Sequence, residues 1–189
     1  MPSGPDVERS ARPEDVAGID ALLAAAFEGR AEADLVRRLR ADGDIWLELV
    51  LPRDGVIAAY LALSRMAGPK GWACLAPLAV LPRFQNAAPA PEGAQRRSGG
   101  LGTRLVSGLV ASMDSAWRGE RVPEVPGDLP ETLVVLGKPA FYERAGFSSA
   151  RARRLTSPYP IAYTLVARPG DDAPEATLVY PPAFAALPA

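Results

Sequence analysis

The residues best suited to chemistry form one glycine-rich run, Arg97-Ser98-Gly99-Gly100-Leu101-Gly102-Thr103. An apolar segment, Trp72 to Val80, precedes the run and an amphipathic one, Leu101 to Trp117, continues from it, which predicts a strand, a turn and a helix. Glycines let the backbone of such a turn present its N–H groups, and the first N–H groups of a helix have no partner within it. With the helix dipole they form an anion site, for which phosphate is the usual ligand.

The glycines alone also fit an ordinary turn. Their spacing is neither that of a P-loop, since no Gly-Lys-Ser/Thr follows, nor that of the dinucleotide fingerprint, whose third glycine is missing. The run therefore needs support from the sequence around it.

Two further blocks supply that support. Leu78-Ala79-Val80-Leu81-Pro82 lies upstream, and the downstream block from Val134 to Phe147 contains Phe-Tyr-x-Arg-x-Gly-Phe. With Arg97-x-x-Gly100-x-Gly102 between them, the chain resembles the GCN5-related N-acetyltransferase (GNAT) family over roughly residues 7–184. The tail, 178–184, is similar to a poorly characterised bacterial branch of acetyltransferases.

The resemblance implies an α/β fold, the GNAT acyl-CoA N-acyltransferase fold. Its mixed, mostly antiparallel sheet is flanked by helices, and its fourth and fifth strands splay apart. It also implies acetyl-CoA as co-substrate, with the pyrophosphate on the glycine-rich run and the pantetheine arm along the fourth strand. The implied binding residues are Leu78, Ala79, Val80, Arg97, Ser98, Gly99, Gly100, Leu101, Gly102 and Thr103.

Two residues carry the catalysis that the resemblance implies. The backbone N–H of Val80 would stabilise the thioester oxyanion, and Tyr142 would protonate the departing CoA sulfur. A phenol suits this role, because its ordinary pKa of about 10 keeps it protonated at neutral pH. The alternative for Tyr142 is a half-buried ring with a structural hydrogen bond.

The general base has no clear candidate. The chain has no histidine, and the fourth strand carries no carboxylate. Glu48 and Glu143 are options, although each is expected to be a solvated surface charge, and a chain of water molecules is at least as suitable. Cys74 is expected to be a buried strand thiol and not a nucleophile, because nothing nearby in sequence would lower its pKa.

Composition narrows the function classes. The chain has 189 residues and a net charge of −1, which argues against nucleic acid as the main partner. The lack of histidine excludes His-based metal sites, so no metal is expected. No apolar stretch reaches the roughly 20 residues of a membrane helix, the start does not resemble a signal peptide, and a single cysteine excludes an internal disulfide. We therefore expect a cytoplasmic protein without a membrane partner; a homodimer is one option for its assembly.

Periodicity and turn residues place the main elements. They predict a first strand at 7–10, later strands at 46–51, 56–65, 72–80 and 132–136, and a last strand within 158–166. They predict helices at 13–27, 32–41, 101–117 and 139–144. Pro77 within a strand indicates an edge or a bulge, unless it is incidental.

We expect one N-acetyltransferase domain over residues 1–189, with a short flexible start at 1–5. The chain departs from the family at residues 86–95, a proline- and alanine-rich insertion expected to form a flexible loop. Gln85 precedes the insertion and Arg97 follows it, so either could be the first polar residue of the loop; the glycine spacing favours Arg97. The basic cluster Arg151, Arg153 and Arg154 is expected on a solvated strand face, with contact to an acidic substrate or a CoA phosphate as the alternative.

The acceptor is left open among amino acids, polyamines, antibiotics and protein N-termini. Phe27, Trp46, Tyr159 and Tyr163 are candidates to line its pocket. The implied function is N-acetyl transfer to a primary amine of a small molecule or peptide, by direct attack. The alternatives are a non-catalytic acyl-CoA-binding or regulatory module and an unrelated α/β domain with a chance glycine loop.

Overall fold

The computed structural model describes residues 7–85, 100–123 and 125–186. The main sheet has six strands: β1 (Arg9–Ser10), β2 (Ile45–Arg53), β3 (Val56–Arg65), β4 (Trp72–Val80), β5 (Thr132–Leu136) and β7 (Thr164–Ala167). They lie in the order β1-β2-β3-β4-β5-β7, and all neighbours are antiparallel except β4 and β5, which are parallel. A separate parallel sheet pairs β6 (Leu155–Thr156) with β8 (Ala176–Thr177).

Five α-helices accompany the sheet in the described part of the chain. The helices are α1 (Val16–Ala26), α2 (Ala31–Asp42), α3 (Leu101–Trp117), α4 (Pro139–Tyr142) and α5 (Ser149–Ala152). Short 3₁₀ turns precede α1, follow β4 and α4, and lead into β7.

Helices pack against both faces of the sheet. Helix α3 buries Leu101, Leu105, Leu109 and Met113 against one face, as its helical stripe predicts. Helices α1 and α2 cover the other face, together with the C-terminal segment that carries Tyr180 and Phe184. The sheet is thus enclosed on both sides, which confirms the α/β architecture expected from the sequence.

Most predicted elements agree with the structure to within one or two residues. The β2–β3 turn is formed by Asp54 and Gly55, which both have positive φ (50° and 76°), the conformation that this turn type requires. The helix predicted at 13–27 begins as a 3₁₀ turn at Pro13–Asp15 and becomes α-helical at Val16. The second, two-stranded sheet was not predicted, because strands of two residues carry no readable alternation.

Candidate active site

Strand β4 bulges in its middle. Leu61 of β3 pairs with Leu78 and Leu63 pairs with Leu75, so two steps along β3 match three along β4. The extra residue falls beside Pro77, which has no N–H for a ladder hydrogen bond. This bulge confirms one of the two structures that Pro77 indicates in the sequence.

Strands β4 and β5 separate beyond the bulge. Their pairing runs only from Trp72 opposite Thr132 to Leu75 opposite Val135. After that point β4 continues along β3 alone, and Leu136 of β5 pairs with Thr164 of β7. The space between residues 76–80 of β4 and the end of β5 is called the cleft below.

The backbone of Val80 faces this cleft. Leu81 donates its N–H to the Ala58 carbonyl of β3, at 2.9 Å. Successive residues of a strand point their N–H groups to opposite edges. The N–H of Val80 therefore points away from β3 and into the cleft.

No described side chain caps the N-terminus of α3. Gly100 is its N-cap residue and has no side chain to accept a hydrogen bond from the first helical N–H groups. A Cβ built on Gly100 would meet no described heavy atom within 4 Å. Those groups and the helix dipole favour an anion at this end of α3.

Gly102 brings the helix and the bulged strand together. A Cβ at Gly102 would lie 3.3 Å from Cγ2 of Val80 and 3.6 Å from Cζ of Phe141. A larger residue would push α3 away from β4 and from the segment after β5. The N-terminal end of α3, the end of β4 at Val80 and the Phe141–Tyr142 pair are thus adjacent.

Tyr142 ends α4 and is 9% exposed. Its ring makes edge contacts with Phe141 and Phe147, at centroid distances of 4.8 and 5.8 Å. It also covers Gly137, where an added Cβ would overlap Cε2 of Tyr142. Burial raises the pKa of Tyr142 to about 12, and no described residue hydrogen-bonds its hydroxyl. The site therefore holds a protonated phenol whose hydroxyl is not tied to the described protein.

Comparisons with known proteins support the resemblance. The uncharacterised N-acetyltransferase YhbS of Escherichia coli K12 is 34% identical over 153 residues, which cover 78% of this chain and 77% of YhbS. The chain belongs to the GNAT family. No family model matches it. The crystal structure of E. coli YhbS in complex with CoA matches 98% of this chain and 94% of its own, with 31% identity and a TM-score of 0.71. A GNAT acetyltransferase from Brucella melitensis in complex with acetyl-CoA matches 94% of this chain and 97% of its own, with 27% identity and a TM-score of 0.66.

The structure of this GNAT chain brings most of the predicted site residues to one place. Leu78 and Val80 pack on the α3 face of the sheet, and Ala79 packs on the opposite face. Gly100, Leu101, Gly102 and Thr103 form the N-terminal end of α3. Arg97, Ser98 and Gly99 lie outside the described residues, as does the insertion 86–95.

The surroundings of Glu48 differ from those expected from the sequence. It was predicted to be a solvated surface charge, but its side chain is only 16% exposed and pairs with Arg40. Arg40 donates from Nη2 to Oε1 at 2.7 Å, and the Tyr60 hydroxyl donates to the same oxygen at 2.6 Å. Burial first, and then the charge of Glu48, hold the pKa of Tyr60 well above its usual value. This carboxylate is already occupied by two donors, which argues against its use as a general base.

The other two candidate groups behave as expected from the sequence. Glu143 is exposed and accepts a hydrogen bond from the Ser149 hydroxyl at 2.5 Å. Cys74 is 1% exposed, and burial raises its pKa to about 12. A thiol with that pKa is not a nucleophile at neutral pH.

The basic cluster was wrongly placed on a strand. Arg151 lies in the short helix α5, where its guanidinium donates to the backbone carbonyls of Arg168, Pro169 and Asp172. Arg154 pairs with Glu175. Arg151 joins α5, and Arg154 the turn after α5, to the segment after β7, so the structure supports neither a CoA phosphate nor an acidic substrate as their partner.

One residue of the site escaped the sequence analysis, and the structure gives another a different role. Gly137 leaves the room that the Tyr142 ring occupies. Gln85, which the sequence offered only as an alternative to Arg97 for the first polar residue of the loop, donates from Nε2 to the Val80 carbonyl at 2.8 Å and so fixes the end of β4 beside the cleft.

The described part of the chain holds no group of three or more acidic or cysteine side chains able to bind a metal ion.

None of the helices in residues 7–85, 100–123 and 125–186 is long and apolar enough to cross a bilayer.

Proposed function

We propose that the protein transfers an acetyl group from acetyl-CoA to a primary amine, by direct attack of the amine on the thioester. The observation that carries this proposal is the cleft, where β4 leaves β5 and the N–H of Val80 points away from β3, beside the end of α3. Its relatives support the choice of donor, since YhbS was crystallised with CoA and the Brucella protein with acetyl-CoA.

The donor would lie across two elements. Its pyrophosphate would accept hydrogen bonds from the N–H groups of residues 98–103, with Arg97 adding positive charge. Its pantetheine arm would pair with the backbone groups of Leu78 and Val80 that face away from β3, as an added strand does; the Val80 carbonyl among them already accepts from Gln85. The thioester would then lie between the N–H of Val80 and the hydroxyl of Tyr142.

The chemistry needs one bond formed and one broken. The amine nitrogen attacks the thioester carbon, and the N–H of Val80 donates to the oxygen as negative charge develops on it. The C–S bond then breaks, and Tyr142 gives its proton to the sulfur. The proton that the nitrogen loses passes to water, because Glu48 is occupied and Glu143 bonds Ser149.

Gly100→Val tests the anion site. The backbone at Gly100 has a φ of −69°, which any residue adopts, and a Cβ there meets no described atom within 4 Å, so the fold should be unchanged. The valine would occupy the space in front of the α3 N–H groups. We expect CoA to bind at least about 10-fold more weakly, or about 1.4 kcal/mol, in calorimetric titration.

Gly127→Val is the matched control, because a Cβ at Gly127 also meets nothing within 4 Å and the residue lies in the loop after α3. It should bind CoA as the wild type does. Equal affinity of both variants and the wild type would reject the assignment of the α3 terminus to the pyrophosphate.

The pH dependence tests direct attack without an enzyme base. Because the pKa of Tyr142 is raised to about 12, the phenol stays protonated across the working range and gives no inflection. The neutral fraction of the amine rises with pH, so the rate at subsaturating amine should rise toward the acceptor's own pKa, about 8 for an α-amine and about 10 for a lysine-like amine. Profiles with two acceptors of different basicity measure this, and a shared inflection near about 6–7 would point to an enzyme carboxylate instead.

A thiol-release assay against a panel of amines separates this function from a non-catalytic acyl-CoA-binding module. Transfer requires CoA release that depends on the amine. Binding of acetyl-CoA without any such release would favour the binding module.

A further inference from the structure

The side chain of Gln85 lies in the cleft. A residue of a strand points its N–H and its C=O to the same edge, so the Val80 carbonyl faces away from β3 together with the Val80 N–H. Gln85 donates from Nε2 to that carbonyl at 2.8 Å. Its carboxamide therefore occupies the position beside Val80 that an amide of a neighbouring strand would take in a complete sheet.

A short turn holds Gln85 in this position. The N–H of Gln85 bonds the carbonyls of Leu81 and Pro82, at 3.2 and 3.1 Å, at the end of the 3₁₀ turn that follows β4. Phe84 of the same turn is 9% exposed and belongs to the core cluster that joins the sheet to α3. The backbone of Gln85 is thus fixed to the end of β4, which lowers the entropy that is lost when a ligand contacts its side chain.

The carboxamide keeps hydrogen-bonding capacity for a ligand. The Val80 carbonyl can only accept, so the group that faces it is the NH₂ of Gln85, and Oε1 is directed elsewhere. Oε1 makes no hydrogen bond with any residue in the described part of the chain, and Gln85 is exposed to solvent. An acceptor and the second N–H of this amide are therefore accessible next to Val80.

The other outward-facing backbone groups of β4 differ from the Val80 carbonyl. The N–H groups of Leu78 and Val80 and the carbonyl of Leu78 also face away from β3, and none of them has a hydrogen-bond partner among the residues that the structure describes. These groups can pair directly with an added strand. A ligand N–H that approaches the Val80 carbonyl in the plane of the sheet would instead meet the NH₂ group of Gln85, and two donors do not bond each other.

We propose that Gln85 binds the pantetheine arm of acetyl-CoA: its Oε1 accepts an amide N–H of the arm while its Nε2 continues to donate to the Val80 carbonyl. The arm is suited to this contact, because it carries secondary amides, and a carboxamide pairs with such an amide as one peptide group pairs with another. The inference rests on the proposed function, since it adds a contact to the same co-substrate. It gives Gln85 a role in the cleft that is separate from the pyrophosphate site at α3.

Two ligands and one substitution test this contact. CoA contains the arm, whereas its 3′-phosphorylated ADP half contains all of the phosphates and no arm. Gln85→Met keeps the length of the side chain and removes both its donor and its acceptor. We expect calorimetric titration to show about 5- to 10-fold weaker binding of CoA and unchanged binding of the ADP half, because the hydrogen bond to the arm is lost.

Arg153→Met is the control, since it also removes an exposed side-chain donor to a backbone carbonyl, that of Ala150 in α5. The lost charge acts on both ligands, so the compared quantity is the ratio of the affinity for CoA to the affinity for the ADP half. This ratio should stay at the wild-type value in Arg153→Met and fall about 5- to 10-fold in Gln85→Met. Unchanged binding of the ADP half shows that Gln85→Met is folded.

Failure of this inference is distinct from failure of the proposed function. An unchanged ratio in Gln85→Met would mean that the arm does not contact the carboxamide, and a raised ratio would mean that the side chain obstructs the arm; either result overturns the inference and leaves acetyl transfer standing. A wild-type protein that binds neither ligand overturns the proposed function and the inference with it. Binding of acetyl-CoA without amine-dependent CoA release rejects acetyl transfer alone, and the ratio still decides the contact.

Discussion

Replacing Tyr142 with phenylalanine is expected to lower kcat by roughly 100-fold while CoA affinity stays close to that of the wild type. The substitution keeps the ring that packs on Phe141, Phe147 and Gly137 and removes only the hydroxyl. No described residue bonds that hydroxyl, so its loss should cost little stability. Because a CoA thiolate is an acceptable leaving group even when it is not protonated, we do not expect kcat to fall further than this.

Tyr60→Phe is the matched control. Its hydroxyl donates to Glu48 at 2.6 Å in the protein interior, so its removal should lower the free energy of unfolding by about 1–2 kcal/mol and leave kcat unchanged. Tyr142→Phe should thus lower kcat with little change in stability, whereas Tyr60→Phe should lower stability with no change in kcat. Equal kcat values for Tyr142→Phe and wild type, with chemistry shown to be rate-limiting, would remove Tyr142 from the mechanism.

Glu48→Ala should be strongly destabilising. The change leaves the guanidinium of Arg40, whose side chain is 21% exposed, without the carboxylate that holds it. Loss of one partner from a fully buried ion pair costs about 3–5 kcal/mol, and the partial exposure here reduces the expected cost to about 2–3 kcal/mol. For a chain of this length the melting temperature should fall by roughly 5–10 °C, measured by calorimetry or denaturant unfolding.

An exposed ion pair provides the comparison for this prediction. Glu120 pairs with Arg118 at the surface, and its replacement with alanine should have no measurable effect on stability. The turnover of Glu48→Ala, per folded molecule and below its melting temperature, should match the wild type. A stable Glu48→Ala protein with greatly reduced kcat would instead make Glu48 the missing base.

The contrast between these residues shows what the sequence could predict. The helix α3 and the strands β4 and β5 follow from periodicity, which is a property of neighbouring residues. At Pro77 the chemistry of proline left an edge, a bulge or an incidental proline open, and the structure has the bulge. Tyr142 and the glycine-rich run were found because their motifs are contiguous.

The partners of Glu48 could not be found in this way. Arg40 comes from α2 and Tyr60 from β3, and they meet Glu48 only because α2 packs on that face of the sheet. An isolated glutamate in an apolar strand has the same local pattern whether it faces water or a buried arginine.

The separation of β4 from β5 also bears on the solubility of the protein. An unpaired strand edge is a template for pairing with another chain, and such edges commonly lead to aggregation. Here the unpaired edge, residues 76–80, lies inside the sheet, between a strand on one side and the end of another. Helix α3 covers one face of the sheet, and α1, α2 and the C-terminal segment cover the other. The edge that would accept a single extended chain is therefore not an outer edge of the sheet, where a strand of a second molecule would pair.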